Sequence, residues 1–403
     1  MKEMKRKTGG VTYRLLTFEY CLLQGLYWIA SAAEMDFAAV PLLRERGFSS
    51  ISIGVISAAK FLSLMFFQYL IGGFADRHRD RFPIKRIVNF LTIIAIAAAL
   101  SMWLLPSGFI LSLIVFIIFG GSVNCILPLI EALSIDYMSG GMKLDYTLSR
   151  ATGSLTYCIA AYLLGMLTDR NGLDFSLVFL ALTLAVFLLI NLIMPQAPEC
   201  GIKRASAVHS ASFLLRNCKR YRWFLAECFF VFLGYDMNIA FLYDRVKDIG
   251  ATNSEYGLIY SMIALFEIPV ALGFSKLLDI KGMSIERLMA SFGIFCTARA
   301  FFTTISTNMT AMLLSQSFEL FGMGVFYAGS VFFVMKTVPA EDSAKGMSLV
   351  NLIGVGASET AAYFLSGFIR GSLGLMPLMY ISCAVSAVGI IAGIPVASRY
   401  DRR

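Results

Sequence analysis

The chain has 403 residues, of which 58% are apolar and 15% charged, with a mean hydropathy of +0.74. A soluble domain carries roughly 25% charged residues, and one this apolar could not cover its surface with polar groups, so a soluble enzyme is excluded. The net charge of +8 does not indicate a nucleic-acid binder either. The basic residues are scattered in short stretches between apolar runs and are not gathered into one domain.

The N-terminus is basic (Lys2, Lys5, Arg6, Lys7). The first apolar run is too long for a cleavable signal peptide and lacks a small-residue cleavage site. Apolar segments follow at 14–40, 51–74, 86–105, 108–137, 146–168, 174–194, 222–243, 254–275, 286–306, 309–336, 346–369 and 374–397. Each can cross a bilayer core of about 30 Å. An all-α integral membrane protein of twelve transmembrane helices is expected. Tight turns at 106–108 and 306–308 follow the third and ninth segments, at matching places in two halves. The polar stretch 195–221 is the natural linker between six-helix bundles at 1–194 and 222–403.

Orientation follows from the basic residues. With the N-terminus inside, 25 of the 34 Lys and Arg fall in inner segments and six in outer loops. Three, Lys60, Arg150 and Arg299, fall within the membrane. This excess predicts cytoplasmic N- and C-termini. Eight cysteines are present, none in a C-x-x-C pair. Neither a disulfide framework nor a metal site is expected.

An ionisable residue deep in a span is costly unless paired or hydrated, and is a functional candidate for that reason. Glu34, Lys60, Glu131, Arg150, Asp236, Glu267, Arg299, Glu319 and Glu359 qualify. Glu19, Asp136 and Glu227 lie nearer the cytoplasmic ends and read as solvated. Depth along the helical hairpins suggests three pairs: Glu131 with Arg150, Arg299 with Glu319, and Lys60 with Glu34. Arg150, Ser154 and Tyr157 share one helix face. With Glu131 opposite, that face would suit a polyhydroxylated ring held by bidentate hydrogen bonds, or an aromatic acid whose carboxylate meets Arg150.

The run Gly72-Gly73-Phe74-Ala75-Asp76-Arg77, followed by a basic loop, resembles the signature loop of the major facilitator superfamily. A glycine there would let a neighbouring helix approach closely. Gly72, Asp76 and Arg77 would then form a conformational gate. A degenerate copy sits at Gly273-Phe274-Ser275-Lys276 through Asp279, where a parallel repeat requires it. Glu131-Ala132 and Arg150-Ala151-Thr152-Gly153-Ser154-Leu155-Thr156-Tyr157 resemble the sugar site of the lactose permease branch. Tyr157 takes the place of that family's tryptophan and Ser154 that of its cysteine. Tyr235-Asp236 and Arg299 extend the resemblance. Glu319 replaces the family's helix-ten histidine, Gly322 a nearby glutamate, and Glu359 falls near its helix-eleven lysine. The pattern around Glu319 and Glu267-Ile268-Pro269 is similar to a broader group that includes phenylpropionate permeases.

The resemblance implies a major facilitator fold: two pseudo-symmetric six-helix bundles acting as a monomer in a bacterial inner membrane. It implies a proton-coupled symporter of a small solute, a sugar or oligosaccharide, working by alternating access. Asp236, Glu267, Glu319 and Glu359 face only Arg299 as counter-charge, so some should carry a proton at rest. Glu319, then Glu267, is the expected coupling residue, since His78 and His209 lie in cytoplasmic segments. A sodium-coupled symporter, an aromatic-acid or nucleoside permease and a proton-driven drug exporter are the alternatives. No catalytic motif, cofactor or nucleic-acid partner is expected.

Overall fold

The computed structural model describes residues 13–78, 81–106, 108–197, 209–280 and 283–398. The side chains of Asp76, Ala271, Leu272 and Ser275 lie outside the described set. So do the basic N-terminal residues, Ser107 of the first tight turn, Cys200 and most of the linker.

Among the described residues there is no strand. Eleven helices have the length and apolarity of a membrane span. They are α1 (Tyr13–Glu45), α2 (Ser50–Arg77), α3 (Ile84–Leu104), α4 (Phe109–Ser139), α5 (Tyr146–Asn171), α6 (Phe175–Ile193) and α7 (Lys219–Ala240), then α9 (Ile285–Ile305), α10 (Met309–Thr337), α11 (Ala340–Ser372) and α12 (Leu375–Ala397). Between α7 and α9 lies α8 (Asn253–Asp279), 27 residues long. At about 1.5 Å per residue it reaches roughly 40 Å, enough to cross. A capping box starts it: Thr252 accepts from the Glu255 amide, and the Glu255 carboxylate accepts from the Thr252 amide. This closes two of the open amides of the first turn.

The chain forms two compact units, one of residues 1–48 and 59–203, the other of 49–58 and 204–403. In the first, α1 packs on α5 and α6, and α3 packs on α6 and α4. In the second, α7 packs on α11 and α12, and α9 packs on α12 and α10. The same pairing six helices later is the mark of a repeated unit. Each unit has its own core, around Tyr20, Leu23, Val88, Ile126 and Phe187 in one and Phe224, Val231, Phe292, Phe326 and Phe333 in the other. Large apolar side chains such as Ile110, Ile193, Leu314 and Ile391 stay outside these cores, as a helix facing lipid permits.

Four helices depart from regular geometry, and α8 carries a proline within a continuous helix. In α1 a π-helical turn, Ala32–Phe37, interrupts the ladder. A turn at Ala38 and Ala39 then breaks the helix, and a short stretch, Val40–Glu45, carries it on to Gly47, whose positive φ of 79° ends it. The sequence places the end near residue 40, close to this break, because hydropathy falls there. In α4 the ladder breaks at Ser122 and Pro128 follows. α8 carries Pro269. α10 passes through a 3₁₀ turn, Gln316–Leu320, and α11 through a π-helical stretch, Val350–Ala357. Glu34, Asp36, Glu319 and Glu359 lie in or beside these irregular turns, and Glu267 lies two residues before Pro269. Such turns are frequent at functional positions, because they re-aim side chains and free backbone groups.

The end of α2 differs from expectation. A Cβ placed on Gly72 or Gly73 would meet nothing within 4 Å among the described residues, and the same holds at Gly273. Phe74 and Arg77 are exposed. The glycines at this end of α2 are therefore not close-approach points among the described residues. Close approach occurs instead at Gly120, where α4 reaches the Lys60 carbonyl of α2, and at Gly54 against Gly367 within the second unit.

Candidate functional site

In the first unit α1, α2, α4 and α5 bring charged and aromatic groups together. Lys60 Nζ lies 3.0 Å from Glu34 Oε1, and both residues are at most 2% exposed. Asn124 of α4 reaches the other Glu34 oxygen at 3.5 Å. Close packing at Gly120 and the π turn bring α4 and α1 onto Lys60, so the pair is satisfied where no water reaches it. A buried pair of this kind fixes geometry more than it stabilises.

Glu131 and Arg150 are not joined in an ion pair. The Arg150 guanidinium lies 4.8 Å above the Trp28 indole, and its Nη1 donates to Ser154 Oγ at 3.3 Å. Glu131 Oε1 instead accepts from the Tyr146 hydroxyl at 3.5 Å. The reason lies in α1: Gly153 leaves just enough room on α5 for Trp28 to lie against the helix, beneath Arg150. An indole is a good platform for a guanidinium. The remaining guanidinium donors are not tied down by a carboxylate among the described residues.

Tyr157 also meets α1. Its hydroxyl donates to Asp36 Oδ2 at 2.8 Å, while its ring meets Trp28 edge-to-face at 6.1 Å. Asp36 is 3% exposed. Asp36, Trp28 and Tyr146 were not among the sequence candidates. Glu34 and Asp36 are two residues apart, which on a regular α-helix places them on different faces. The π turn brings both inward.

In the second unit Arg299 of α9 is wholly buried. Its Nε lies 3.1 Å from Glu319 Oε1 and 2.9 Å from Gln316 Oε1, and its guanidinium sits 4.6 Å above the Tyr235 ring. The Tyr235 hydroxyl donates to the same Glu319 oxygen. Both terminal nitrogens of Arg299, Glu319 Oε2 and Asp236 Oδ2 are buried with no hydrogen-bond partner among the described residues. Buried polar atoms are rarely left so, and these four are places for water, a proton or a ligand. Asp236 lies within electrostatic reach of Glu359 and Arg299, and Glu267 within reach of Tyr327.

Glu227 is a clear correction. It is 0% exposed and so not solvated. Counting residues from the end of α7 gives depth and says nothing about which face is packed. The gate side chain Asp76 lies outside the described residues, and Arg77 is exposed. Of the histidines, His209 Nδ1 lies 2.6 Å from Asp342 Oδ2 and the Lys345 ammonium donates to the His209 carbonyl, tying the end of the linker to the start of α11.

Solved transporters share this fold. Over 95% of this chain and 100% of theirs, a mutant form of the nucleoside transporter NupG matches with a TM-score of 0.80 at 16% identity. A bacterial homologue of the human lysosomal transporter Spinster, inward-facing and unoccupied, matches at 0.68 and 13% identity over 96% and 97% of the two chains. An auto-inhibited POT family peptide transporter matches at 0.67 and 12% identity over 96% of each. No curated protein matches by sequence. These relatives are transporters and not enzymes. The model of the MFS_1 like family matches residues 37–380. With the match running over most of its length, the chain belongs to the MFS_1 like family, whose fold is that of major facilitator transporters.

Proposed function

We propose that the protein is a proton-coupled carrier of a small solute built on a hydroxylated ring, a sugar or a nucleoside, working by alternating access. The observation that carries this reading is the Arg150 group. A guanidinium lies over Trp28 with donors to spare, and a carboxylate within its field, Glu131, accepts from Tyr146 alone among the described residues. Adjacent ring hydroxyls can donate to Glu131 and accept from Arg150 in paired hydrogen bonds. The apolar face of a sugar, or a nucleobase, can pack on Trp28 and Tyr157. The lactose permease resemblance favours a sugar. The likeness to NupG brings in nucleosides, which share the hydroxylated ring.

Coupling is assigned to Glu319. One of its oxygens is engaged by Arg299 and Tyr235 and the other is open to a proton. A proton on Oε2 removes the carboxylate charge and loosens the hold on Arg299. The freed guanidinium can then turn to Asp236, which is already within its field. This is a discrete rearrangement that a proton can bias. Glu267 and Glu359 complete the acidic set.

A thermal-shift screen on purified protein with sugars, nucleosides and aromatic acids in separate arms tests the solute class. Arg150→Ala should abolish the shift given by the true solute. A solute that still shifts Arg150→Ala as much as wild type overturns the site. A hit among aromatic acids alone overturns the hydroxylated-ring reading.

A further inference from the structure

Glu227 lies on α7, eight residues before Tyr235, which is about 12 Å along the helix axis. It is 0% exposed, and both carboxylate oxygens lack a hydrogen-bond partner among the described residues. Glycines of α12 and α9 face its carboxyl. A Cβ on Gly393 of α12 would lie 2.5 Å from Glu227 Oε1 and 2.8 Å from its carboxyl carbon. A Cβ on Gly293 of α9 would lie 3.6 Å from the same oxygen. One turn along α12, a Cβ on Gly389 would fall 2.9 Å from the Val231 amide nitrogen and 3.1 Å from the Glu227 carbonyl. Gly389 and Gly393 thus form a small-residue stripe that lets α12 lie directly on α7, with the carboxyl aimed into it.

No basic group answers this carboxyl among the described residues. α12 has no Asp, Glu, Lys or Arg between Leu375 and Ala397. The titratable neighbours in electrostatic reach are thiols, Cys228 on α7 and Cys296 on α9. Arg220, two turns back along α7, is engaged by Glu286 and the Ser398 carbonyl. Arg299 of α9 and Glu319 of α10 face Tyr235, and Glu359 of α11 acts on Asp236. An ionised carboxylate in such a place is strongly disfavoured. Glycine Cα–H groups are poor substitutes for N–H donors.

We propose that Glu227 is a second proton-binding site of the protein, occupied while α12 lies on α7 and emptied when the two helices part and water enters the glycine slot. The site is separate from Arg299–Glu319 and takes only a proton, because the glycines close on the carboxyl itself. Ionisation and closure of the α7–α12 seam therefore exclude each other. The site depends neither on the solute nor on Glu319.

The test needs no solute. Infrared spectra of the purified protein in lipid should contain a protonated-carboxyl C=O component that Glu227→Gln removes and Glu319→Gln leaves in place. Raising the pH from mildly acidic to alkaline should diminish that component. Over the same range, backbone amides of α7 and α12 around Val231 and Gly389 should exchange with deuterium several-fold faster in wild type than in Glu227→Gln. Glu227→Leu provides a second uncharged variant should the amide disturb packing. A protonated-carboxyl component unchanged by Glu227→Gln overturns the proposal. So does amide exchange equal in wild type and both variants at every pH.

Discussion

Lys60 and Glu34 hold each other almost entirely out of solvent, so neither can be removed alone without stranding the other. Breaking such a pair costs about 3–5 kcal/mol, while replacing both members by apolar residues is often neutral. Lys60→Leu should therefore lower the unfolding temperature in detergent sharply, and Lys60→Leu with Glu34→Leu should recover most of the loss. A double variant no more stable than the single one would show that the pair does more than balance charge. Arg150 depends on a residue that touches no charge. Gly153 gives Trp28 its place under the guanidinium. Gly153→Leu should displace the indole and abolish the solute-induced thermal shift while the unfolding temperature without solute falls by only a few degrees. An unchanged shift would remove Trp28 from the site. Glu319 carries the coupling prediction: Glu319→Gln should abolish uphill uptake under a pH gradient yet retain exchange across equal concentrations. Undiminished accumulation in that variant would assign coupling elsewhere.

At the scale of elements, the irregular turns decide what was legible in the sequence. Depth counted along hairpins is enough to put Arg299 beside Glu319, because a short link fixes the register of α9 against α10. The same count puts Glu131 level with Arg150 but cannot see Trp28, which comes from a helix more than a hundred residues earlier and captures the guanidinium. Asp36 escaped notice because a regular helix would turn it away, and the π turn Ala32–Phe37 is not written in any residue pattern. Glu227 escaped because its burial comes from a glycine stripe on α12. These π and 3₁₀ turns lie beside the acids assigned to function, as expected of positions that must change shape. The linker clasp is a further element-scale feature. Asp342 is wholly buried while binding His209 through both its oxygens. Asp342→Ala should free the linker, read as faster proteolysis after residue 197 with solute binding intact. Unaltered cleavage would mean that other contacts hold it.

For the whole molecule, hydropathy and turn chemistry were sufficient to foresee twelve helices, and a repeat of six shows in the helix pairing. What they could not supply was the content of each unit. The first unit gathers a guanidinium, a carboxylate and aromatic rings, and the second gathers Glu319 and Asp236 about Arg299. In the proposed account the first holds the solute and the second handles protons. The same account, from the loop charges, puts both termini on the cytoplasmic face. Thiols introduced at each end should then be labelled by impermeant reagents only from that side. Labelling of the two ends from opposite faces would contradict the twelve-span topology. Proton-coupled carriage by the whole protein is measured in proteoliposomes. An inward proton gradient should drive a labelled solute identified by the thermal-shift screen above its external concentration, and collapse of the gradient should release it. Equilibration at equal concentrations under an intact proton gradient would contradict the account.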